Sequence, residues 1–193
     1  MSDLASPTDV QQPVRRHKLS VDDFHKLGEA GVLNAESRVE LLNGELVDMA
    51  PIGDWHAGVV AALTELLVKR AAHTTVWIQN PVRFAADTEL QPDVTLLRRR
   101  EDFYRSGTPV PSDVLLLIEV SDTTLAYDRG PKLDLYSRHG IQEVWIVNLP
   151  DQCLEAFRDP SAEGYRARSR YGAGDLVSAL AMPALSVEVA TLF

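Results

Sequence analysis

The 193-residue chain is 45% apolar and 24% charged, which suits one globular domain with a full core and excludes disorder along its whole length. Its net charge of −9 excludes a generally basic surface, so a nucleic-acid partner would need locally concentrated cations or metal ions to offset its phosphates. The single cysteine, Cys153, excludes an internal disulfide and reads as a small core residue in a reducing cytoplasm.

The polar start MSDLASPTDVQQPVRRHK lacks the apolar centre of a signal peptide. The longest apolar run, Val114 to Ile118, falls far short of the roughly 18 residues that a membrane span requires. Residues 1–18 are expected to form a mobile leader, and residues 19–193 a single domain. Order begins with Leu19: Ser20 and Asp23 sit at capping-box spacing, and Leu19 and Phe24 occupy the staple positions. A helix is expected from Val21 to about Ala30, ended by Gly31 in the left-handed conformation.

In RVELLNGELVDMA, two apolar-rich runs flank Asn43-Gly44, the preferred pair for a two-residue type I′ hairpin. That loop sets Leu42 opposite Glu45, Leu41 opposite Leu46 and Glu40 opposite Val47. Glu40 then shares a largely apolar face with Leu42, Val47 and Met49. Asp54 is expected to cap a long helix, WHAGVVAALTELLVKRAA, whose inward stripe includes Val60, Leu63, Leu67 and Ala71. His56 stands one turn before Val60 and heads that face. VWIQN, VRFAA and DVTLL read as strands, and VLLLIEV as a central strand covered on both faces. A helix starting within Asp128–Pro131 should run through KLDLYSRHG to Gly140, followed by the strand EVWIVNL. CLEAFR and YRARSRY, joined by DPSAEG, are expected to make an outlying hairpin. LVSALAMPALSVEVATLF is apolar enough to close the sheet or meet a partner.

Three polar residues stand where a bland core would have none. Asp93 follows Pro92 at a strand start, Glu119 interrupts the end of VLLLIEV, and Lys132 lies in the first turns of the next helix. If the strands are neighbours, two carboxylates converge with an amine opposite them. A divalent cation relieves their repulsion, and hard oxygen ligands suit Mg²⁺ or Mn²⁺. The competing structural reading is a buried Lys132–Glu119 ion pair with Asp93 as a turn residue. Arg166, Arg168 and Arg170 alternate along one strand face, and Arg98 to Arg100 form a second cluster. Both clusters read as solvated surface or as phosphate-backbone contacts.

Taken in order, QPDV, IEVSDTT, PKLDLY and EVWIV resemble the PD-(D/E)XK nuclease superfamily, and more narrowly its Uma-type restriction endonucleases. LSVDDF, VELLNGEL, DWHAGVV and MPALSVEVATLF extend the likeness from about Leu19 to Phe193. The resemblance implies an α/β, restriction-endonuclease-like mixed sheet flanked by helices, with an N-terminal helix and β-hairpin. It also implies that Asp93, Glu119 and the backbone carbonyl of Val120 bind the metal. The superfamily lysine position, two residues after the glutamate, holds Ser121, and the amine then comes from Lys132. Glu40 matches the family's hairpin acid and His56 its helix histidine; each also has a structural reading, as a paired Glu and a hydrogen-bonded core His.

The activity implied is metal-dependent hydrolysis of phosphodiester bonds in DNA; a homodimer in the cytoplasm is expected beside it, since two sites related by a twofold axis cut both strands of a duplex most simply. The alternative is a catalytically silent module that binds nucleic acid or assembles with partners. RNA or branched DNA would be served by the same fold.

Overall fold

The computed structural model describes residues 16–34 and 36–193. Residues 1–15, most of the expected leader, lie outside the described residues. Ser20 caps α1 (Val21–Glu29): its hydroxyl accepts from Asp23 N–H at 3.1 Å, and its own N–H donates to the Asp23 carboxylate. Asn43 and Gly44 both take positive φ, 50° and 78°, as a type I′ turn requires. They join β1 (Val39–Leu42) to β2 (Glu45–Asp48) in the register the turn dictates.

This hairpin belongs to a larger unit. β4 (Val82–Ala85) and β5 (Thr88–Leu90) complete a four-stranded sheet ordered β2-β1-β5-β4. The main sheet has six strands in the order β10-β9-β8-β7-β6-β3. Its members are β3 (Thr74–Ile78), β6 (Val94–Arg98), β7 (Val114–Ser121), β8 (Glu143–Asn148), β9 (Cys153–Ser161) and β10 (Gly164–Tyr171). Only β7 and β8 run parallel; the connection between them carries α3 (Leu125–Tyr127), a π turn (Asp128–Lys132) and α4 (Leu133–Arg138). The architecture is the expected mixed α/β sheet flanked by helices.

Side-chain alternation divides the core into two. One face of the main sheet presents Val94, Leu96, Leu116, Ile118 and Val120 to α2 (Asp54–Arg70), which inserts Val59, Val60, Leu63 and Leu67. The opposite face presents Leu97, Leu117, Val144 and Ile146 to Tyr136 of α4 and to Val82, Phe84 and Leu90 of the smaller sheet. Glu119, two residues beyond Leu117, falls on this second face.

Several expectations are revised. Gly53, not Asp54, is the N-cap of α2, and Asp54 sits in its first turn. The CLEAFR–YRARSRY hairpin is no outlier: β9 pairs with β8, and Cys153 to Phe157 are buried. The C-terminal segment forms its own hairpin, β11 (Leu176–Ala179) with β12 (Met182–Glu188). Its Val177, Leu185 and Val187, with Val189 and Leu192, pack into the α2-side core, so this segment covers a face of the sheet and does not extend its edge. The helical connection begins at Leu125, before Asp128. Pro131 lies inside it, where a missing N–H breaks α-helical pairing. The chain widens there, and Leu133 N–H donates back to Asp128 O in a π turn.

Candidate active site

The second face of β7 opens at its C-terminal end into a cleft lined by Arg38, Glu40, His56, Asp93, Glu119, Val120, Tyr127, Asp128 and Lys132, among others. All the side chains singled out from the sequence, Glu40, His56, Asp93, Glu119 and Lys132, meet here. Five elements supply them: β1 carries Glu40, the first turn of α2 carries His56, the start of β6 and the end of β7 place Asp93 and Glu119, and the π turn holds Lys132.

Lys132 is the centre of the charge arrangement. It retains only 6% exposure, and its Nζ lies 3.2 Å from Glu119, 3.3 Å from Glu40 and 4.0 Å from Asp128. Tyr136 donates its hydroxyl to Glu119 Oε1 at 2.5 Å, and Glu40 Oε1 accepts from Gln91 N–H at 2.7 Å. Asp128 accepts from the Ser121 and Thr124 hydroxyls at 2.7 and 2.6 Å. The expected Lys132–Glu119 ion pair is therefore present, inside a network of three carboxylates.

Asp93 is held differently. Its Oδ2 accepts from Val120 N–H at 2.9 Å and lies 3.1 Å from His56 Nε2; its Oδ1 accepts from Gln79 Nε2 at 3.2 Å. Asp93 N–H approaches Glu119 Oε2 at 3.4 Å, which joins the two acidic positions. The Asp93 side chain keeps 14% exposure against 3% for Glu119, so Asp93 is the carboxylate nearer solvent. His56 braces Asp93, while Glu40 is braced by Lys132 and Gln91.

Burial pushes Glu119 up to about 8, against the pull of Lys132 and with the push of the neighbouring carboxylates. Lys132 remains a cation: burial disfavours its charge, but Glu119, Glu40 and Asp128 outweigh it and raise its pKa. Burial also raises Asp93, yet the His56 contact, the Val120 N–H and Gln79 prevail and hold it below the usual carboxylate range. The hydrogen bond to Asp93 raises His56.

The donor set is one of hard oxygens. Among the described residues no three His, Cys, Asp or Glu side chains group as a metal cage. Mg²⁺ binds through one or two carboxylates and keeps several waters, and Asp93, Glu119 and a backbone carbonyl make a set of that smaller kind. A strand residue directs its N–H and C=O to the same neighbour. Val120 N–H reaches Asp93, so its carbonyl faces that side too, beyond the start of β6. These residues fit a divalent cation.

The arginine clusters do not join the site. Arg166, Arg168 and Arg170 pair with Asp159, Glu155 and Asp151. Arg98 donates to Ser112 O, Arg99 lies over Phe103, and Arg100 pairs with Asp102. Sequence reading missed Asp128 and Tyr136, although Asp128, Lys132 and Tyr136 recur at four-residue steps, the spacing of one helix face. Arg38 was missed as well; it lies two residues before Glu40 and therefore on the same side of the hairpin. Gln79 carried no signal, because its role depends on a non-local turn against Asp93.

A solved structure from Anabaena variabilis ATCC 29413, described as "a putative nuclease belonging to DUF820", matches 91% of this chain and 97% of its own, with a TM-score of 0.66 and 16% identity. At that identity the match is one of fold. No curated protein matches the sequence. The profile of a family described as "Uma2: Putative restriction endonuclease" matches residues 21–190, nearly the whole described chain, and the chain belongs to that family.

Proposed function

We propose that the cleft is the active site of a metal-dependent endonuclease that hydrolyses phosphodiester bonds in DNA. The observation carrying this reading is the convergence of Glu40, Glu119 and Asp128 on one buried lysine, with Asp93 beside Glu119 in the same open cleft. Burying so many acids is unfavourable for stability alone, whereas substrate chemistry gives the arrangement a use. The family match supports the nuclease class.

Asp93, Glu119 and the Val120 carbonyl would hold the cation, Mg²⁺ or Mn²⁺. When bound, such an ion supplies Lewis acidity toward a phosphoryl oxygen and lowers the pKa of coordinated water. The chain's own residues do the rest. Lys132 presents a fixed positive charge to the negative charge that develops on the phosphoryl group, a contribution of the order of 10²–10³ in rate. Glu40 orients Lys132. His56 and Gln79 fix both Asp93 oxygens, and Tyr136 holds Glu119 from below. A cytoplasmic setting and a homodimeric state belong to the same proposal.

Calorimetric titration with Mg²⁺ and Mn²⁺ on wild type and Asp93→Ala tests the reading, alongside cleavage assays on mixed DNA and RNA. Binding and cleavage that both vanish in Asp93→Ala support it. A wild type that binds no cation and cuts nothing leaves a silent nucleic-acid-binding or assembly module in its place.

A further inference from the structure

Arg38 differs from the other cleft cation. Lys132 is consumed by Glu40, Glu119 and Asp128, whereas Arg38 pairs with no carboxylate among the described residues. Met49 N–H donates to Arg38 O at 2.7 Å, which extends the β1–β2 ladder by one step. Side-chain alternation then sends Arg38 out on the face of Glu40, one step nearer the cleft mouth. One guanidinium corner is anchored, since Nη1 donates to Ala50 O at 2.9 Å. Four of its five N–H donors remain, and the side chain is half-buried in the cleft wall. Arg38 is also close enough that its charge opposes protonation of His56. A rigidly anchored guanidinium with free donors, at the rim of an acidic site, matches the fork geometry of a phosphate.

We propose that Arg38 grips a phosphate adjacent to the scissile one, so that the substrate of this cleft is an oligonucleotide and not an isolated phosphodiester. The inference rests on the nuclease reading of the site. It also locates some of the concentrated positive charge that a chain of net charge −9 needs in order to hold a polyanion.

The test compares a fluorescein-labelled DNA oligonucleotide with bis(4-nitrophenyl) phosphate, a diester with no neighbouring phosphate. Arg38→Ala should raise KM for the oligonucleotide ~10- to 100-fold with a smaller change in kcat. It should also reduce the salt slope of binding by about 1. Loss on the small diester should be no more than about threefold, since it has no neighbouring phosphate for the guanidinium to grip. Arg38→Gln retains a donor for Ala50 O while removing the charge. It should therefore melt like wild type yet bind the oligonucleotide as poorly as Arg38→Ala.

Parallel loss on both substrates, or recovery of KM by Arg38→Gln, would overturn the proposal in favour of a loop clamp. Anisotropy in the Asp93→Asn background, with Ca²⁺ in place of Mg²⁺, separates this inference from the nuclease reading. Arg38-dependent oligonucleotide binding by a protein that cleaves nothing keeps the phosphate grip and removes the activity. Cleavage with Arg38-independent KM and salt slope does the reverse.

Discussion

Glu119 and Lys132 occupy one buried network, yet their substitution should have opposite consequences. With Glu119 pushed up to about 8 by burial, the folded state holds a proton that the unfolded chain releases near 4.5. The stability this proton contributes is complete below the unfolded value and is lost as pH rises through the folded one. Glu119→Gln cannot ionise, so its melting temperature should gain on wild type across that window in metal-free buffer and stay above it at pH 9. Lys132 keeps Glu40 at 3.3 Å, and the amide oxygen can still accept from Tyr136, so the fold survives while metal binding disappears. A sharp drop in melting temperature would mean that the Glu119 charge is structural. Lys132→Met, by contrast, leaves Glu40, Glu119 and Asp128 buried without their cation. A loss of about 3–5 kcal/mol is expected, together with activity, and urea unfolding measures it. A variant as stable as wild type would show that these acids are already neutral and that Lys132 is replaceable.

Among the elements, the β1–β2 hairpin has the closest tie between local sequence and site geometry. Gly44 has φ +78°, and a Cβ there would lie 2.7 Å from Lys18 Cβ and 3.1 Å from Leu19 O. The Leu19 N–H donates to Gly44 O at 3.0 Å, so the backbone contact cannot yield without losing that bond. Gly44→Ala should cost about 1–3 kcal/mol and, by displacing β1, should also weaken the Glu40–Lys132 contact. Differential scanning fluorimetry and metal titration on the same sample check both effects; a full-strength metal site in a destabilised protein would uncouple hairpin from site. This hairpin was legible in the sequence because Asn43-Gly44 fixes turn and register within a few residues, and the Ser20–Asp23 cap was legible for the same local reason. The central strand β7 announced itself as a continuous apolar run. Asp93, Glu119 and Lys132 were visible as polar residues interrupting apolar elements, and Glu40 and His56 as polar residues on inward faces. What local pattern could not give was pairing across distance. The place of β9 inside the main sheet, between β8 and β10, buries Glu155 fully against Arg129 and Arg168, an arrangement drawn from three separate elements. The packing of β11 and β12 over the α2-side core, and the Gln79 contact to Asp93, are non-local in the same way.

At the scale of the whole molecule, the apolar CLEAFR strand and the apolar C-terminal segment are both used within the chain. Cys153 to Phe157 are buried in β9, and Val187, Val189 and Leu192 are buried against α2. No helix among the described residues is long and apolar enough to cross a membrane. Among the large apolar side chains that remain exposed are Leu176 at 65% and Leu180 at 51% on the C-terminal hairpin, and Val68 at 64% on α2. Leu176 lines a shallow groove beside Leu66 and Lys69 of α2, so hairpin and helix present one joint surface. The other open edge is less suited to pairing. β10 is a terminal strand of the main sheet, but its arginines discourage a second edge from docking there. The prediction is a homodimer, because cutting both strands of a duplex is simplest with two sites related by a twofold axis. Light scattering coupled to size-exclusion chromatography at micromolar concentration should give twice the 21.3 kDa chain mass, and Leu176→Glu with Leu180→Glu should return it to the monomer value. A wild-type mass near 21.3 kDa would rule out a stable dimer. A single cleft per particle would then make nicking or single-strand cleavage the simpler chemistry, with Arg38 and Lys132 alone serving one strand at a time.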